Sequence, residues 1–153
     1  MELVVDEWLP HYIEERDKNE FLLKFLEKIY EKCDSLVISR QGPVRKKIHR
    51  IMNKASHWKD NNQRGLFKYF ITSFLLNSNK VLLMEEHTIP ELPENLAKIL
   101  PEDDHFLYRI ALARGECVIL TTDKKLKMKA RALGEQFKTE ILEDFCSNYI
   151  VEV

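Results

Sequence analysis

The chain has 153 residues, a formal net charge of −1, and 44% hydrophobic against 32% charged side chains. That length suits one domain, residues 1–153, able to bury roughly 68–70% of its unfolded surface. Near-neutral charge excludes a global bias toward nucleic acid or an anionic surface, so any such binding must come from local clusters.

The elements follow in chain order. Leu3, Val4 and Val5 predict a short buried strand ending at Asp6, and Pro10 marks a turn before a long amphipathic helix from Glu14 to Cys33. Leu36–Ser39 predicts a second strand; Gly42-Pro43 then opens a basic helix to about Ala55, with Pro43 in the first turn, where its missing N–H does no harm. A third helix is expected over Asn61–Leu76, its stripe of Phe67, Phe70, Ile71, Phe74 and Leu75 facing the core. Val81–Met84 is a third strand. Pro90, Pro93 and Pro101 make the next stretch a loop with one short helix at 94–99.

A helix opening at Asp104, with Leu107, Ile110 and Ala111 on its apolar face, stops at Gly115; the strand Cys117–Thr121 follows. Leu126–Leu133 predicts a helix ended by Gly134, then a strand at Phe137–Ile141 and a small helix at Leu142–Tyr149. This alternation predicts an α/β fold: one domain of three α/β/α layers around a parallel sheet of four to five strands.

Cys33, Cys117 and Cys146 lack the close pairing of zinc or redox motifs, so reduced thiols are expected. Glu2, Asp6 and Glu7 stand where a signal peptide would be basic and then apolar, and no apolar run approaches membrane-spanning length. The expectation is a cytoplasmic protein with no membrane partner.

A helix that crosses back onto a parallel sheet runs antiparallel to the strands, so Asp104 and Asp123 are expected on one rim, and Asp6 joins them at the end of the first strand. Each Asp taken alone is accounted for as a helix N-cap or a loop charge. Gathered, they would repel by roughly 4 kcal/mol for a pair ~4 Å apart at an effective dielectric of ~20. Mg²⁺ or Mn²⁺, which prefer oxygen ligands, would relieve that repulsion.

Charge is uneven along the chain. Residues 35–59 carry no Asp or Glu while holding Arg40, Arg45, Lys46, Lys47, Arg50, Lys54 and Lys59, and Lys124, Lys125, Lys127, Lys129 and Arg131 follow Asp123. Both clusters begin just after predicted strands, near the carboxylates, so Arg45, Lys46, Lys47, Lys124 and Lys125 are candidate nucleic-acid contacts. The acidic run from Glu85 to Asp104 is a counterweight that could balance them internally.

LVVDEW at 3–8 and DDHFLYRIALARGECVILTTDKKL at 103–126 resemble the first strand and the late segment of the PIN domains, small α/β metal-dependent nucleases common as toxin ribonucleases. The resemblance implies that Asp6, Asp104 and Asp123 hold Mg²⁺ or Mn²⁺ and that Thr121 orients them. It implies a catalytic set of Asp6, Asp104, Asp123 and Thr121 cutting RNA. An antitoxin protein and a second copy of the chain are further candidate partners. The acidic residue that the family carries early in the helix after the second strand is missing: that helix begins Pro43-Val44-Arg45-Lys46-Lys47. Glu7 stands in place of the family's small polar residue and is the nearest substitute ligand, while Glu85 and Glu86, after an edge strand, are not expected to reach the site. Two readings stay open, an endoribonuclease or a PIN-like module without catalysis that binds RNA or protein.

Overall fold

The computed structural model describes residues 1–151. Among them, five strands form one wholly parallel sheet in the order β3-β2-β1-β4-β5: β1 Glu2–Val5, β2 Ser35–Ser39, β3 Val81–Met84, β4 Val118–Thr121 and β5 Lys138–Ile141. The strands are short, continuous apolar runs because each is covered on both faces. Leu3, Val5, Leu36, Ile38, Val118 and Leu120 point into one core, and Val4, Val37 and Ile119 into the other.

The first core is roofed by α1 Trp8–Glu14, α2 Asn19–Glu31, α3 Pro43–Lys54, α4 Asn61–Phe70 and α8 Leu142–Tyr149. The second is closed by α6 His105–Arg114 and α7 Lys124–Arg131, with α5 Glu94–Ile99 leading into α6. The three-layer α/β/α arrangement expected from the alternation is therefore present. The stripe on α4 is core as read: Phe70 and Phe74 are fully buried, and the helix widens into a π-helical turn over Ile71–Leu75. Gly115, at φ 75°, closes α6 in a conformation that L side chains rarely adopt.

The main departure from the sequence reading lies near the start of the chain, and α7 runs Lys124–Arg131, two residues earlier than expected. The expected helix from 14 to 33 is α2 alone, and a separate helix, α1, occupies the stretch assigned to a turn at Pro10. Pro10 lies in the first turn of α1, where the backbone needs no donor. The chain breaks after Glu14 because remote amides take the carbonyls at that end of α1. Asn19 Nδ2 donates to the carbonyls of Tyr12, Ile13 and Glu15 at 2.8, 3.1 and 3.0 Å, and Gln63 Nε2 donates to those of Ile13 and Glu14 at 3.1 and 2.8 Å.

The three cysteines are free; Cys117 lies just ahead of β4 and is half-buried rather than inside the strand. Among the described residues no helix is long and apolar enough to cross a membrane.

Candidate active site

The chain leaves β1 toward β2 on one side and reaches β4 on the other, so the carboxyl ends of β1 and β4 flank the topological switch point of the sheet, the usual crevice for ligands in open α/β folds. Asp6 follows β1 directly and Asp123 follows β4 by two residues. The start of α6 comes to the same edge and brings Asp103 and Asp104. A hollow of about 570 Å³ opens there, lined among others by Asp6, Glu7, Asp103, Asp104, Lys47 and Thr122.

Thr121, fully buried at the end of β4, ties two of the carboxylates together. Its Oγ1 accepts the backbone N–H of Asp123 at 3.1 Å, and its hydroxyl favours the charged form of the Asp6 carboxylate. Asp6 Oδ1 also accepts the backbone N–H of Glu7 at 2.6 Å. Asp123 is an N-cap, its Oδ1 accepting from Lys125 N at 2.9 Å and Leu126 N at 3.3 Å. Oδ2 of Asp123 takes no protein hydrogen bond among the described residues. Asp104 occupies the cap position of α6 but makes no side-chain capping bond. The capping explanation therefore covers half of Asp123 and none of Asp104.

Asp104 is partly buried, whereas its neighbour Asp103 is exposed. Burial, then the Asp6 and Asp123 carboxylates, push the Asp104 carboxyl up to about 6. Asp6 is raised chiefly by burial, with Glu7 and Asp123 adding to it and the bonds from the Glu7 N–H and Thr121 opposing. Three acids assigned to one rim from separate parts of the sequence thus sense one another in the folded chain. Asp104 is coupled to both partners.

Glu7 faces the hollow because the chain turns directly from β1 into α1, which Trp8 anchors by donating its indole N–H to the Leu120 carbonyl at 2.9 Å. Strand alternation no longer applies there. Its carboxylate is paired with Lys47, so the nearest substitute acid is held by a cation. Lys47 stands on α3, a helix without carboxylates. Trp8, His11 and Tyr12 also line the hollow and were missed with α1; the apolar pairs Trp8-Leu9 and Tyr12-Ile13, four residues apart, carried the helical signal.

Of the remaining sequence candidates, Lys124 and Lys125 open α7 and are exposed beside Asp123, and Arg45 and Lys46 lie on the outer face of α3. Glu85 and Glu86 do not join the site. Arg40 pairs with Glu85 at 2.6 Å, and Arg109 with Glu86 at 2.8 Å and Glu91 at 3.6 Å, so part of the acidic run is balanced internally.

The donors Asp6, Asp104 and Asp123 are all oxygen, the chemistry that suits Mg²⁺ or Mn²⁺. Among the described residues, no three His, Cys, Asp or Glu side chains are drawn together tightly enough to form a ready metal cage. The arrangement is an open, electronegative rim. No protein-family model matches the chain, and no curated protein matches it.

Proposed function

We propose that the chain is a PIN-like, divalent-metal-dependent hydrolase of phosphodiesters, acting on single-stranded RNA. The observation that carries this is the meeting of Asp6, Asp104 and Asp123 at the switch point, where the charges raising Asp6 and Asp104 are other carboxylates. Such a cluster costs stability unless a cation enters it. The position of β3 at the sheet edge, with β2 between it and β1, agrees with what the resemblance implies.

Asp6, Asp104 and Asp123 would hold Mg²⁺ or Mn²⁺, each contributing a carboxylate oxygen. The bound ion supplies Lewis-acid stabilisation of a phosphodiester and a water of lowered pKa. The protein's own part is orientation and charge. Thr121 fixes Asp6 relative to Asp123, the α7 cap fixes one Asp123 oxygen, and Lys47, Lys124 and Lys125 attract phosphates to the rim.

The competing function is an RNA-binding or protein-binding module without turnover. One observation favours it: Lys47 puts an ammonium on the rim and occupies Glu7, leaving three carboxylates for an ion. An antitoxin protein or a second copy of the chain would be partners of either form, tested by co-purification and by sedimentation velocity.

Titration calorimetry with Mn²⁺, alongside cleavage of an unstructured RNA, decides between the two. Asp123→Asn keeps a good N-cap, so the variant should fold while losing ion binding and metal-dependent cleavage. Unchanged cleavage in that variant would overturn the hydrolase. Metal-independent RNA binding without turnover would establish the module.

A further inference from the structure

Three hollows adjoin one another around the outer side of α3 and share residues. Lys47 lines both the carboxylate hollow and a small one of about 100 Å³ formed with His11, Glu14, Arg50 and Lys54. Arg50 in turn lines both the small hollow and a groove of about 640 Å³ walled by Arg40, Gln41, Arg45, Lys46 and His49. Val44, Ile48 and Ile51 bury the opposite face of the helix, so the cations are held outward by packing and not by chance of composition.

Arg45, Lys46 and Arg50 have no carboxylate partner among the described residues, whereas Arg40 and Lys47 do. From Arg45 to Lys54 the helix advances about 14 Å, at 1.5 Å per residue.

We infer that this series is the path of one strand of the substrate: a single-stranded polynucleotide leaves the carboxylate hollow over Lys47, passes Arg50 and lies in the groove of Arg45, Lys46 and His49. The inference rests on the phosphodiester reading of the rim. Glu14, which also lines the small hollow, is paired with Lys54 at 3.7 Å, and the run of cations around it is what a flexible single strand needs; its connection with the carboxylate hollow through Lys47 favours a polynucleotide over an acidic protein. It divides the basic residues by task. Lys47 sits at the hollow, and the unpaired cations beyond it supply affinity and direction.

The test is fluorescence anisotropy of a labelled, unstructured RNA roughly 12 nucleotides long, measured in EDTA over a range of salt. The unaltered chain is compared with the triple variant Arg45→Ala, Lys46→Ala, Arg50→Ala, and with the charge-matched control Lys24→Ala, Lys68→Ala, Lys98→Ala. The triple variant should bind about tenfold or more weakly and lose about two from the salt slope, while the control stays within about twofold. Equal binding by triple variant and control, or no binding by the unaltered chain, overturns the path. Capture of an acidic protein that depends on the three residues, with RNA binding untouched, overturns it in favour of a protein interface. Because EDTA removes any metal, binding lost only in the triple variant supports the path even where no RNA is cleaved, an outcome that would refute the hydrolase alone.

Discussion

The backbone N–H of Asp123 donates to Thr121 Oγ1 at 3.1 Å, and the same buried hydroxyl favours the charged form of Asp6, so one side chain bears on two acidic residues that lie 117 residues apart in sequence. Thr121→Val keeps the shape and removes the hydroxyl. It should lower stability by about 1–2 kcal/mol in urea unfolding, because a half-buried carboxylate loses a donor. It should also weaken Mn²⁺ binding in calorimetry, while Thr121→Ser restores both. A valine variant that binds Mn²⁺ as tightly as the unaltered chain would show that Thr121 is only a strand residue.

Asp104 gives the clearest pH signature. Its carboxyl is raised from the ordinary value of 3.8 to about 6, chiefly by burial and then by Asp6 and Asp123. The folded chain holds this proton more firmly than the unfolded chain. The group is therefore neutral for stability below pH about 4 and becomes unfavourable as pH rises through about 6. A shift of that size corresponds to about 3 kcal/mol, and partial exposure reduces the expected effect to about 1 kcal/mol. Asp104→Asn should stabilise the metal-free protein by about that amount at pH 7.5 and by almost nothing at pH 4, measured by thermal melts. A destabilising substitution at pH 7.5 would mean that Asp104 has a structural partner after all.

These two acids also mark how far the sequence could be read. All five strands were legible, four of them as short apolar runs bounded by polar residues, and the antiparallel run of α6 places Asp104 on the rim with Asp123 from the sequence alone. The break between α1 and α2 was not legible. It depends on Asn19 and on Gln63, which reaches the end of α1 from about 50 residues away, and no local pattern announces such a partner. Without α1, the role of Glu7 at the rim stayed undecided. The pairing of Lys47 with Glu7 has no local signal either, because the two residues lie 40 apart in sequence.

Lys80 supplies a test of the scaffold remote from the site. Its ammonium donates to the carbonyls of Ile29, Lys32 and Asp34 at 2.9, 2.7 and 3.2 Å, closing the end of α2 against the start of β2. These are charge-assisted bonds to carbonyls that a helix end leaves open. Lys80→Met should cost about 2 kcal/mol in urea unfolding, with Mn²⁺ binding unchanged once the protein is folded. A loss below about 0.5 kcal/mol would mean that water replaces the ammonium at no cost.

Lys47 decides what limits the rim as an ion site. Its ammonium sits in the carboxylate hollow and is paired with Glu7, so it opposes an entering divalent cation twice, by repulsion and by withholding an acid. Lys47→Met removes both effects while keeping an apolar stem of similar length. Mn²⁺ affinity should rise about three- to tenfold, because an ion then meets Asp6, Asp104, Asp123 and a released Glu7. RNA affinity in EDTA should fall modestly in the same variant, since one phosphate contact is gone. Opposite movement of the two affinities is expected only if the ammonium faces both the ion and the strand. Unchanged Mn²⁺ binding would place Lys47 outside the reach of the ion, and weaker binding would show that it holds the rim in shape. Glu7→Gln in the Lys47→Met background separates the two contributions: if the gain persists, relieved repulsion explains it, and if the gain disappears, the freed Glu7 carboxylate is a ligand.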